Sequence, residues 1–250
     1  MIPRYLRRAV KSLLHELKEK NLSLHASGIT FFLFLSMIPI LLLVTAFLPL
    51  TPLTKNDLIR FLLAVIPKET QTLALALVDQ VYKSFTKILP IALVTTAFSA
   101  GKGMLALMRA FNTLYGLEER RGYIRLRIAA SVNTVLLLGA ILLSLCLGVF
   151  GERLHVFLLT AVLLFLYTFI PEQKQKISRQ LPGALFAALG WNLCSWGFSW
   201  YIRSFSGLTA YGSLGTVTVF LLWLYFFSYI LLLGAVVNII WKKLVIFIKI

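Results

Sequence analysis

The stretch SGITFFLFLSMIPILLLVTAFLPL, residues 27–50, contains no charged side chain. A run of this kind exceeds the roughly 18 apolar residues that mark a helix able to cross a bilayer. Further apolar runs follow it, and 59% of the 250 residues are hydrophobic. A soluble domain sits near 45–50%. The chain therefore reads as an all-α polytopic membrane protein. No polar segment is long enough to build a second core.

The runs predict a six-transmembrane-helix bundle, with spans at about 27–50, 88–108, 128–150, 154–170, 181–203 and 215–241. Residues 1–26 form a basic, amphipathic lead, and residues 242–250 a basic tail. The first external loop, 51–87, is broken by Pro52 and Pro67 and spaced like short amphipathic helices. Pro39 falls mid-span and predicts a kink. Pro182 sits at the expected start of the fifth span, where a missing N–H costs no bond.

A formal net charge of +16 raises nucleic acid as a partner. The placement of the charges points to topology instead. Of 25 Lys and Arg, about 17 fall in the N-terminus, residues 109–127, residues 171–180 and the tail. The opposite loops hold about seven. Both termini are therefore expected in the cytoplasm of a bacterial inner-membrane protein. The expected partners are anionic membrane lipids, with a homo-oligomer allowed and no nucleic acid.

Between Gly101 and Gly103 the second span carries Lys102. The GKG is no phosphate loop, since no glycine stands five residues earlier and Met104 follows. Laid out as a helix, Thr95, Ser99, Lys102, Ala106 and Arg109 share one face. Leu93, Ala97, Ala100, Met104 and Leu107 share the other. A polar stripe is expected to face neighbouring helices or a water-filled cavity. Lys102 stands about seven residues from the expected cytoplasmic end, so snorkelling also accommodates it.

In the fifth span Gly183, Ala187, Gly190, Cys194 and Gly197 repeat at helix-packing spacing. Asn192 lies beside that stripe, and Trp191, Trp196 and Trp200 read as lipid-facing or interfacial anchors. The uncharged loop SFSGLTAYGSLGTV, residues 204–217, reads as a small re-entrant or mouth-lining loop.

Four segments together resemble the YihY/BrkB family of bacterial inner-membrane proteins, historically labelled ribonuclease BN. They are SGITFFLFLSMIPILLL, SAGKGMLALMRAFNTLYGLEERRGYIRLR, LPGALFAALGWNL and TAYGSLGTVTVFLLWLY. The resemblance covers about residues 20 to 240. It implies six spans with both ends inside, and serum-resistance, transport or envelope roles. It maps recurring positions onto Pro39, Ser99, Gly103, Asn112, Tyr115, Glu119, Arg121, Pro182, Gly183, Tyr211, Gly212, Ser213 and Gly215.

These readings give three sets of candidate residues. Thr95, Ser99, Lys102, Asn192, Tyr211 and Ser213 are candidates for a cavity or substrate path. Arg109, Asn112, Tyr115, Glu119 and Arg121 are candidates for a cytoplasmic gate or lipid contact. Pro39, Pro182, Gly183, Gly190, Gly197, Gly212 and Gly215 are candidates for hinges and packing. The expected function is a transporter or flippase of a small or anionic, lipid-like envelope substrate. An envelope scaffold is the alternative, and a ribonuclease the remote one. RNA cleavage at a metal needs converging carboxylates or histidines. Glu118 and Glu119 point to different faces, and His15, His25 and His155 have no ligand spacing. No catalytic residue, metal or cofactor is expected.

Overall fold

The computed structural model describes residues 20–47, 54–65, 71–72, 75–76, 78–79, 90–148, 155–204 and 212–248. Among the described residues there are seven helices and no strand. They are α1 (Leu22–Phe47), α2 (Lys55–Val65), α3 (Pro90–Tyr115), α4 (Tyr123–Gly148), α5 (His155–Phe169), α6 (Ile177–Ser204) and α7 (Gly212–Ile248). Residues 1–19 of the expected lead and Tyr211 lie outside the described residues, and residues 22–26 of that lead belong to α1.

Among the described residues three helices have the length and apolarity to cross a membrane: Leu22–Val44, Tyr123–Ile141 and Val217–Leu244. Val156–Phe169 is a shorter apolar helix. The 15 described residues of α5 extend about 22 Å at 1.5 Å per residue. α7, with 37 residues, runs to about 55 Å. It carries residues 242–248 of the expected separate tail as continuous helix.

Two boundaries differ from expectation in ways that matter. α3 continues past Met108 to Tyr115, because AFNTLY keeps helical spacing, with Phe111 and Leu114 fully buried. α6 begins at Ile177, so Pro182 is its sixth residue rather than its first turn. The proline thus leaves a carbonyl of the opening turn without its helical partner.

In the first loop, α2 is opened by a reciprocal cap. Thr54 Oγ1 accepts from Asp57 N (3.3 Å), and Asp57 Oδ2 accepts from Thr54 N (2.8 Å). Leu58 and Val78 are buried, the latter against Leu41 of α1. This is one amphipathic helix of the two expected; the rest of 66–87 is largely outside the described residues.

Around the bundle the helices pack in the order α4, α3, α1, α7, α6, α5, and α5 returns to α4. The centre is filled by Met104, Met108, Phe111, Leu163, Tyr167 and Leu232. A second cluster sets Trp191 of α6 edge-to-face against Trp223 and Phe227 of α7, with centroids 5.0 and 4.2 Å apart. Trp191 is thus a core residue, correcting the expectation of an anchor. Trp196 and Trp200 are exposed.

At the α6–α7 seam the two backbones come into contact. A Cβ on Gly183 would collide with the carbonyl oxygen of Gly234, and one on Gly234 with the Tyr167 hydroxyl. Glycine lets the two backbones touch, as small residues do between helices in lipid. Gly183 N donates to Asn238 Oδ1 (2.7 Å), and Tyr167 OH donates to Leu231 O (2.7 Å). Gly190 also packs, against Ile230, whereas Gly197 has open space beside it and is no packing position.

Candidate functional site

The polar groups of the described residues concentrate at one end of the bundle, where α3 ends and α6 begins. Gly116 sets up the arrangement. Its φ of 68° is left-handed, a conformation glycine adopts without strain. Leu117 N bonds back to Asn112 O (2.8 Å), and Gly116 N to Thr113 O (3.3 Å). This double bond pattern closes the last turn of α3 and reverses the chain.

The reversal returns Glu119 to Asn112, whose Nδ2 donates to Glu119 Oε2 (2.8 Å). Asn112 is buried, and its Oδ1 accepts from Glu172 N (2.9 Å), in the segment after α5. One amide thereby ties the α3–α4 connection to the α5–α6 connection.

Arg121 fastens the same two connections by charge. Its Nε and one terminal nitrogen donate to the two oxygens of Glu119 at 2.7 and 2.8 Å, a forked pair. Its backbone N adds a third bond, at 3.1 Å. Glu172 Oε2 lies 2.5 Å from the same Nε, out of line for a hydrogen bond. The three side chains are only 20–24% exposed. The hydrogen bonds from Arg121 hold the Glu119 carboxyl below its usual range. Loss of hydration raises that of Glu172, and the charge of Glu119 pushes the same way, against Arg121.

Beneath this pair the contacts continue inward. Tyr115 OH donates to Gln180 Oε1 (2.9 Å) and lies beside Asn238. Lys20 Nζ donates to Leu114 O (2.9 Å), covering a free carbonyl at the end of α3.

Of the expected gate residues, the structure joins Asn112, Glu119 and Arg121, places Tyr115 in the layer below, and leaves Arg109 exposed and apart. The stripe of α3 turns outward. Lys102 and Arg109 are exposed, while Ala100, Met104 and Leu107 are buried. The apolar face outcompetes the polar one for the interior, so the stripe does not line the inside of a single bundle. Ser99 is half-buried, and its carbonyl accepts from Ser36 Oγ (3.4 Å). Asn192 spends its amide on its own helix, at Ala188 O (2.8 Å). Gly215 is buried and Gly212 opens α7; the side chains of Thr95 and Ser213 lie outside the described residues. A shallow apolar cleft lies between α5, α6 and α7 beside Trp191 and Phe227, and none of the expected cavity residues lines it.

Sequence reading missed Glu172, Gln180, Tyr167 and Asn238. Pro171–Glu172 directly after an apolar run was the available signal for Glu172. Asn238, an amide in the apolar stretch of α7, was the signal for the seam.

The sequence model of the family described as Virulence factor BrkB matches residues 13–244. The chain is 27% identical to ribonuclease-like protein YfkH of Bacillus subtilis (strain 168), over 90% of each chain. It is 27% identical to a UPF0761 membrane protein of Methylibium petroleiphilum, over 91% of this chain and 61% of that one. A UPF0761 membrane protein of Pseudoalteromonas translucida is 36% identical over 73 residues, 29% of this chain and 24% of that one. No solved structure matches.

Proposed function

The chain belongs to the Virulence factor BrkB family, a family of membrane proteins, and from that premise we propose that it moves an anionic, lipid-like envelope substrate across a bacterial inner membrane. The excess of Lys and Arg at the latch end supports a topology with that end, and both termini, in the cytoplasm.

The observation that carries the reading is the Asn112–Glu119–Arg121–Glu172 latch. It joins two interhelical connections at one end of the bundle, where a gate has to act. Its ion pairs are of a kind that an incoming phosphate can replace, because guanidinium takes phosphate and carboxylate with the same forked geometry. Glu172 is the weaker partner, since it touches Arg121 without a hydrogen bond. A substrate phosphate that displaces it removes one of the two ties on the α5–α6 connection and leaves the bond from Glu172 N to Asn112 Oδ1. The contact between Gly183 and Gly234 then marks the seam along which α6 and α7 separate.

The test is lipid movement in proteoliposomes, read by quenching a fluorescent phosphatidylglycerol from outside. The wild type is expected to accelerate exchange over empty vesicles, and Glu172→Gln to change the rate several-fold. Wild-type vesicles no faster than empty ones would remove the transport reading.

A second reading, an envelope scaffold, is favoured by the apolar filling of the described core. It predicts no lipid movement and recovery of a partner from membranes. The ribonuclease-like name of the Bacillus relative is not carried over. Glu119 and Glu172 both face Arg121, whose fixed positive charge opposes a metal ion at the same carboxylates.

A further inference from the structure

Arg127 is the fifth residue of α4 and 5% exposed. Its guanidinium carbon lies 4.2 Å from the centroid of the Phe98 ring, and one terminal nitrogen donates to Phe98 O (3.1 Å). Its Nε is buried and has no acceptor. Among the described residues no carboxylate pairs with it. A guanidinium cannot shed its proton to escape this position. The positive end of the α4 dipole adds to its charge rather than opposing it.

One turn further along α4, Ser131 Oγ is also buried without a partner. Ser131 rests on Gly101 of α3, where a Cβ would come within 3.0 Å of that hydroxyl. Glycine brings the backbones close and puts the next residue, Lys102, at the rim of the seam. Lys102 is exposed and has no partner among the described residues. Although it is 13 residues from the end of α3, it is level with the third turn of α4. Arg127 is about 6 Å of helix from the start of α4, near one end of the apolar segment Tyr123–Ile141. Phe98 and Ile128, 51% and 59% exposed, flank the seam with apolar surface.

We propose that the α3–α4 seam binds a phosphate-bearing anion, held as the headgroup phosphate of an anionic lipid or as free phosphate, between Arg127, Ser131 and Lys102. The anion supplies the counter-charge that Arg127 lacks, Ser131 Oγ donates to it, and Lys102 bends to it from the rim. An acyl chain lies on Phe98 and Ile128. The site holds its ligand whether or not the protein transports, and it is separate from the Arg121 latch.

The experiment uses the full chain in non-ionic detergent. Native mass spectrometry compares retention of added phosphatidylglycerol and phosphatidylcholine, and thermal unfolding is read with and without inorganic phosphate. Phosphatidylglycerol is expected to be retained about tenfold over phosphatidylcholine, with that preference lost in Arg127→Gln and halved or more in Lys102→Gln. A phosphate-dependent rise in melting temperature, absent in Arg127→Gln and without lipid preference, assigns the same site to soluble phosphate. Equal retention of the two lipids by the wild type with no phosphate effect overturns the proposal. So does a phosphatidylglycerol preference unchanged by Arg127→Gln, or a dimer that dissociates in that variant and binds no anion. Should Arg127→Gln fail to fold, the exposed Lys102→Gln decides: reduced retention supports the site, and unchanged retention overturns it.

Discussion

Arg121 and Arg127 stand six residues apart and meet opposite fates. Arg121 lies in an interhelical connection and faces two carboxylates, one from 51 residues further along the chain. Arg127 lies in a helix, is more deeply buried, and faces an aromatic ring and a backbone carbonyl. The residue type is the same, and the source of counter-charge separates the two roles. A cation whose anions come from its own chain fastens that chain. A cation buried without one is suited to an anion from outside.

The largest expected effect tests the first half of this contrast. Arg121→Ala leaves Glu119 and Glu172 facing each other with no cation between them. Removing one partner of a buried pair costs 3–5 kcal/mol, and with a fifth of these side chains exposed we expect about 2–3 kcal/mol. Thermal unfolding in detergent measures it. A loss below about 0.5 kcal/mol, the size of an ordinary surface substitution, would reduce the latch to a surface contact.

Next in size is the conditional effect at Arg127. In lipid-free detergent, Arg127→Gln removes an unpaired buried charge and is expected to be neutral or stabilising. With phosphatidylglycerol at 100 times its dissociation constant, the wild type gains about 2.7 kcal/mol that the variant does not. The two arginines then differ in sign as well as in size. Equal destabilisation of both variants, with lipid and without, would erase the distinction.

Much of the fold was legible in the sequence because its cause is local. Apolar runs near 20 residues mark helices in lipid, and Gly183 and Gly190 announced a close seam by spacing alone. Asn112, Glu119 and Arg121 were singled out together. Their third partner was not, because Glu172 arrives through the packing of α5 against its neighbours, which no short-range pattern encodes. The orientation of α3 was misjudged for a related reason. Its Ser, Thr and Lys stripe suggested a cavity, but Ala100, Met104 and Leu107 compete for the same interior and fill it. The isolation of Arg127 was invisible as well. In RRGYIRLR it looks like one more topogenic charge, and only the fold shows which arginine is turned inward.

A third, smaller effect separates the two carboxylates of the latch by pH. Glu119 has a lowered pKa, so its stabilisation is present above the ordinary carboxylate range and is lost as pH falls through the lowered value. Glu172 has a raised pKa, so its charge costs stability above the raised value, and that cost is relieved as pH falls through it. Stability on acidification should therefore rise slightly and then fall. Glu172→Gln should flatten the rise and Glu119→Gln the fall, each by about 1 kcal/mol or less for partly exposed groups. Melting temperatures between pH 7 and pH 3 decide it, and identical profiles for the two variants would contradict the assignment of unequal partners.

The smallest expected effect is the control that gives the others meaning. Arg125 lies two residues before Arg127 on α4 but is exposed. An exposed arginine keeps its hydration, so it needs neither an internal carboxylate nor an external phosphate. Arg125→Gln should change stability by no more than about 0.5 kcal/mol, with lipid or without. It should also leave the phosphatidylglycerol preference in place. If Arg125→Gln lowers that preference as far as Arg127→Gln does, the lipid is responding to the summed charge of the basic end, and burial has no part in choosing where it sits.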